Sequence, residues 1–115
     1  MELPLPPKDL VSTIPQFQFL QESLRNSDVS TLETVVFSTS TGQLVNGWHQ
    51  QQEQVSSLSL ERAHLIANTA KEILQSATAL GSHAELLRIR FIDSELLVVP
   101  GDGLAIAAIT TQKTT

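Results

Sequence analysis

The chain has no cysteine and no tyrosine, and its 115 residues include only one tryptophan and four phenylalanines. Without thiols it can form no disulfide framework, no thiolate metal site and no cysteine nucleophile. So few aromatic rings leave almost no platforms for stacking bases or sugars, and they oblige the core to be built from Leu, Ile, Val and Ala. No run reaches the roughly 18 consecutive apolar residues of a membrane span. The amino terminus lacks the basic start and apolar middle of a secretory signal. Glu2 stands where N-myristoylation requires glycine. These absences point to a cytoplasmic protein with no membrane insertion.

Positive charge is also scarce. Seven Lys and Arg face twelve Asp and Glu, for a formal net charge of −5 and a pI near 5.0. The cations Lys8, Arg25, Arg62, Lys71, Arg88, Arg90 and Lys113 are scattered. Binding to nucleic acid or to an anionic membrane surface draws on clustered cations, so both are disfavoured. What the chain does have is apolar content: 41% hydrophobic residues and a mean hydropathy of +0.03. That fits one folded domain with a real core.

Pro4, Pro6 and Pro7 mark residues 1–14 as an extended, loosely held leader. A helix is expected to start near Pro15, because Ile14, Phe17, Leu20 and Leu24 recur at three- and four-residue steps. Residues 32–39, rich in β-branched side chains, read as a strand. Ser40-Thr41-Gly42 is a hairpin turn and residues 43–48 a returning strand. The Gln-rich run 49–54 is polar and aperiodic and reads as a loop.

The clearest element is a long helix over residues 58–80. Its stripe of Ala63, Ile66, Ala67, Ala70, Ile73, Leu74, Ala77 and Leu80 has the helical period. Ser57 or Ser59 can cap its start, and Gly81 suits its end. The alanines allow close backbone approach, so this face should meet a flat sheet or a second helix. Three strands follow, over 84–92, 95–99 and 104–110, joined by turns at Asp93-Ser94 and at 100–103. Residues 111–115 read as a polar tail. The expected order is α-β-β-α-β-β-β, an α+β fold in which a five-stranded antiparallel sheet is flanked by helices and no C-terminal helix follows. The domain spans 15–110.

Chemistry is hard to find. His49, His64 and His83 are isolated from one another, with no metal-ligand spacing, and read as surface or cap residues. The carboxylates fall in no catalytic frame; Glu61 and Glu72 lie off the apolar stripe, and Glu33, Glu85, Asp93 and Glu95 sit on strands or turns, so a solvated surface is expected for them. Gly101-Asp102-Gly103 lies between two strands, where a phosphate-binding loop would need a helix to follow. No catalytic residue, cofactor or metal is expected. Arg88 and Arg90 share one strand face and could hold a partner's carboxylates or simply cover the sheet. The alanine stripe is likewise open to two readings, intrachain core or oligomer seam.

One resemblance is more specific. Leu87-Arg88-Ile89-Arg90, then Glu95-Leu96-Leu97-Val98-Val99-Pro100, then the apolar strand 104–109 is similar to the closing hairpins of roadblock-type dynein light chains. The segment 35–45 resembles the first hairpin of that family, and the long helix falls in the expected place. The resemblance spans about residues 17–109. The longer leader and the Gln-rich loop with Trp48 depart from it.

The resemblance implies a roadblock/profilin-like fold and a non-enzymatic homodimer, or a heterodimer with a paralogue. It implies strands paired across a two-fold axis, with long helices side by side. The seam residues would be Ala63, Ile66, Ala67, Ala70, Ile73, Leu74, Leu87, Arg88, Ile89 and Arg90. Implied partners are a dynein intermediate chain, a lysosomal scaffold or a Ras-like small GTPase. Three roles follow as expectations: a dimeric adaptor, a regulator of a Ras-like GTPase, and a ligand-sensing domain with a pocket between sheet and helix. The absence of a polar cluster in the apolar stripe weighs against the third.

Overall fold

The computed structural model describes residues 29–51, 54–81 and 84–112. The leader, the helix expected near Pro15, His83 and the last three residues of the tail lie outside the described residues. The elements are β1 (Val29–Ser38), β2 (Leu44–Gln51), β3 (Gln54–Ser57), α1 (Leu60–Thr78), β4 (Leu87–Arg90), β5 (Ser94–Pro100) and β6 (Leu104–Gln112). The six strands form one antiparallel sheet in the order β3-β2-β1-β6-β5-β4. The α+β architecture and the antiparallel sheet agree with the sequence. The strand number does not, because the sheet has six strands and not five.

The sixth strand comes from the Gln-rich run. His49, Gln50 and Gln51 continue β2, and Gln54 to Ser57 return beside them as β3, with Trp48 opposite Ser57 and Gln51 opposite Gln54. Every residue of β3 is exposed. An outer strand with no buried face shows no apolar alternation, so its pairing is written only in backbone hydrogen bonds. β6 also runs two residues past the expected 110, to Gln112.

The centre of the sheet is apolar on both faces. Leu96-Leu97-Val98-Val99 of β5 and the run from Ala105 to Ala108 of β6 are buried throughout. Continuous apolar runs of this kind are what strands covered on both sides require. One face carries Val35, Phe37, Leu96, Val98, Ala105 and Ala107, packed against Ala63, Ile66, Ala67 and Ala70 of α1. The other carries Val36, Trp48, Leu97, Val99, Ile106 and Ala108. Of the two surfaces that the alanine stripe could meet, it meets the flat sheet. Small side chains on α1 oppose Ala105 and Ala107, which brings helix and sheet close together.

The helix is bounded much as its sequence suggests. The Ser59 side chain accepts a hydrogen bond from the Arg62 amide (3.2 Å), satisfying one of the free donors of the first turn. At the other end the Gly81 amide donates to the Thr78 carbonyl (3.0 Å), with Gly81 at φ 101°, a conformation that glycine adopts without a steric penalty. The stripe is shorter than its period implied. Ile73, Leu74 and Ala77 are half-buried, and Leu80 lies beyond the helix with 88% exposure.

Candidate interaction surface

β4 is an outer strand of only four residues, paired on one side with β5 through Leu87↔Val98, Arg88↔Leu97, Ile89↔Leu96 and Arg90↔Glu95. It is shorter than the expected 84–92. Phe91 does not extend the apolar face; its amide donates to the Ser94 carbonyl (2.8 Å) and closes a tight hairpin. The Phe91 residue is 51% exposed and Ile92 is 99% exposed at the hairpin tip.

Within β4 the alternation holds. Leu87 and Ile89 are half-buried on the helix side of the sheet, and Arg88 and Arg90 are exposed on the other. α1 packs chiefly over β1, β6, β2 and β5. The two apolar side chains of β4 therefore sit at the rim of the core, beside the helix and not beneath it.

The two arginines differ. Arg88 Nε donates to Glu95 Oε1 at 2.7 Å, across the hairpin to β5. The Glu95 carboxylate is buried, while Arg88 is about half exposed. Its sequence position suggests a solvated surface, but Glu95 is the buried acceptor of an ion pair. Its backbone carbonyl also lies 3.5 Å from the Thr110 hydroxyl, on the neighbouring β6. Arg90 makes no ion pair among the described residues. Of the two guanidiniums expected to hold a partner's carboxylate, one is committed within the chain and one is available.

A second carboxylate leaves the solvated class in the same way. Arg62 of α1 holds Glu33 of β1 in a two-pronged bond, Nε donating to Oε2 (3.0 Å) and Nη2 to Oε1 (2.9 Å). Hydrogen bonding to Glu33 raises the Arg62 pKa above its ordinary value, partly opposed by burial. The pair ties the first turn of the helix to the sheet. Glu61 and Glu72 are exposed, as their positions off the stripe predict.

The remaining seam residues are placed as follows. Ala63, Ile66, Ala67 and Ala70 are at most 2% exposed and face the chain's own sheet. They have no area left for a second copy, so a seam on this helix has to use flanking positions. Ile73 and Leu74 are half-buried against the same core. His64 is exposed, and His49 Nδ1 lies 3.5 Å from the Ser56 hydroxyl across β2 and β3. Among the described residues no three His, Asp or Glu side chains are grouped to hold a metal ion, and no helix is long and apolar enough to cross a membrane.

No protein-family model matches the chain, and no curated protein matches it. Solved structures do. A roadblock/LC7 domain from Streptomyces avermitilis superposes with a TM-score of 0.55 at 14% identity, over 81% of this chain and 75% of that one. The gliding protein MglB from Thermus thermophilus superposes with a TM-score of 0.52 at 16% identity, over 96% and 81%. An MglB described in a tetrameric arrangement gives 0.51 at 16% identity, over 96% and 80%. At these identities the likeness is one of fold, and the fold is that of a roadblock domain.

Proposed function

We propose that the chain is a self-associating, non-enzymatic adaptor of roadblock type, which uses the outer edge of β4 to extend its sheet with a second copy. The observation that carries this reading is the composition of that edge. Among the described residues no strand pairs with the outer side of β4, and its Leu87 and Ile89 are only half-buried at the margin of the core. An outer strand with apolar side chains is a template for strand addition unless it is shielded. The exposed Phe91 and Ile92 add apolar surface at the tip of the adjoining hairpin. The tetrameric arrangement described for one MglB supports self-association for this fold.

In this reading the dimer presents its sheet and helices to a third protein and supplies no chemistry of its own. The third protein is a dynein intermediate chain or a Ras-like small GTPase. Of the two, the GTPase is the one whose hydrolysis the dimer would regulate. Cytoplasmic residence accompanies either partner. Sedimentation velocity at micromolar concentration tests the first step and is expected to show a dimer; a folded monomer would overturn it. Single-turnover hydrolysis by a Ras-like GTPase encoded beside this chain tests the second. An accelerated rate identifies a regulator, and hydrolysis by the purified chain alone would defeat the non-enzymatic reading.

A further inference from the structure

A separate feature lies at the turn end of the sheet. A cavity of about 550 Å³ opens between the β1–β2 turn, the β5–β6 turn and the C-terminal half of α1. Its volume falls within the roughly 300–1,000 Å³ usual for small-molecule sites. Leu74 and Pro100 supply its accessible apolar lining, and Lys71 brings a positive charge into it.

Lys71 is half-buried and makes no hydrogen bond or ion pair with any described residue. Its side chain lies across Gly42, at φ 77° in the β1–β2 turn. A Cβ there would overlap the ammonium and lie 3.1 and 3.2 Å from Cε and Cδ. The turn thus leaves bare backbone where the lysine stem passes. The stem is partly buried while the ammonium, at the wall of an open recess, has room for an anion beside it.

The turn is also rich in hydroxyl donors. The Ser38 carbonyl accepts from the Gly42 amide (2.8 Å), and the Ser38 hydroxyl oxygen accepts from the Thr41 amide (3.2 Å). Thr41 Oγ1 in turn accepts from the Gln43 amide (3.3 Å). A hydroxyl oxygen that accepts an amide still has its own proton to donate, so Thr41 can donate to an anion beside Lys71. The Thr39 amide donates to the Gly103 carbonyl (3.0 Å), which fastens the two turns together and sets the rim before any ligand arrives. Asp102, exposed on the same rim, forms no ion pair with Lys71.

We propose that this cavity binds a small organic anion, with its carboxylate or phosphate head on Lys71 and the Thr41 hydroxyl and its apolar part against Leu74 and Pro100. Asp102 repels a second negative charge, so the site selects ligands charged at one end. This binding is independent of the strand-edge association and can fail without affecting it.

The test is titration of the full chain, followed by amide chemical shifts, with phenyl phosphate, phenylacetate and uncharged benzyl alcohol as probes. Saturable shifts at residues 39–42, 71–78 and 100–103 are expected with at least one of the two anions, and the stronger binder identifies a phosphate or a carboxylate site. Lys71→Gln is expected to weaken that binding by at least about tenfold, the scale of a lost charge-assisted hydrogen bond. Asp102→Asn is expected to strengthen it by about two- to threefold, as removal of an exposed like charge should. The absence of saturable binding by both anions overturns the proposal. So does equal binding of benzyl alcohol, or undiminished binding by a folded Lys71→Gln chain.

Discussion

β3 and β4 both end the sheet, yet the first is exposed along its whole length and the second alternates half-buried Leu87 and Ile89 with exposed Arg88 and Arg90. Gln54, Ser56 and Ser57 offer a partner strand polar groups that water satisfies equally well, and Val55 is the single apolar side chain of β3. β4 adds an apolar face at the margin of the core, so pairing there also removes hydrocarbon from water, at about 25 cal/mol per Å². Two edges with the same hydrogen-bonding geometry thus differ in what association would gain. Edge strands are interfaces or liabilities according to their side chains.

The sharpest way to break this comparison is to place a charge on the β4 margin. Ile89→Asp is expected to weaken self-association at least about a hundredfold in sedimentation equilibrium, because an unpaired buried charge costs roughly 3–5 kcal/mol. If the variant sediments as the parent does, the copies meet elsewhere.

A second variant separates the edge from its support. Arg88→Ala leaves the buried Glu95 carboxylate without its partner at 2.7 Å. Because Arg88 is half exposed, water can partly replace it, and the expected loss in urea unfolding is about 1–3 kcal/mol. The double change Arg88→Ala with Glu95→Gln should recover much of that loss, since the charge left unpaired is then removed.

Arg62→Ala addresses a bond that does not involve either edge. The pair is two-pronged but partly solvated, so about 1 kcal/mol is expected from the same unfolding measurement. The sign of its base-side pH dependence follows from the raised Arg62 pKa. The stabilisation is present below the ordinary arginine pKa and is lost only as pH climbs through the still higher folded value. Unfolding curves across neutral pH should therefore show no base-side loss from this pair.

The smallest effect is expected at the other edge. Val55→Lys, on the exposed β3, should change stability by no more than about 0.5 kcal/mol and leave the sedimentation coefficient unaltered. A large loss of dimer on this change would reverse the assignment of the two edges.

Much of this architecture is legible in the residues. The 3.6-residue stripe announces α1, Ser59 and Gly81 mark its ends, and the apolar runs of β5 and β6 announce central strands. β3 is hidden because a strand with neither face buried has no period to read. Glu95 reads as solvated for a related reason: its burial depends on its neighbours Arg88, Arg90 and Thr110, which come from two other strands. The lining of the Lys71 cavity is invisible too. The apolar stripe lacks a polar cluster, but the polar groups arrive from turns far away in sequence.

Local patterning by itself determined α1 with its caps, the strands other than β3, and the α+β class, because periodicity and backbone preference act over a few residues. Tertiary structure alone decided that the alanine stripe meets its own sheet and that one arginine is committed to a buried glutamate while its neighbour is not. It also decided that a lysine crosses a distant glycine to face an open recess. Those outcomes depend on which strands become neighbours, and strand order is set by packing across the whole sheet and not by any segment of it.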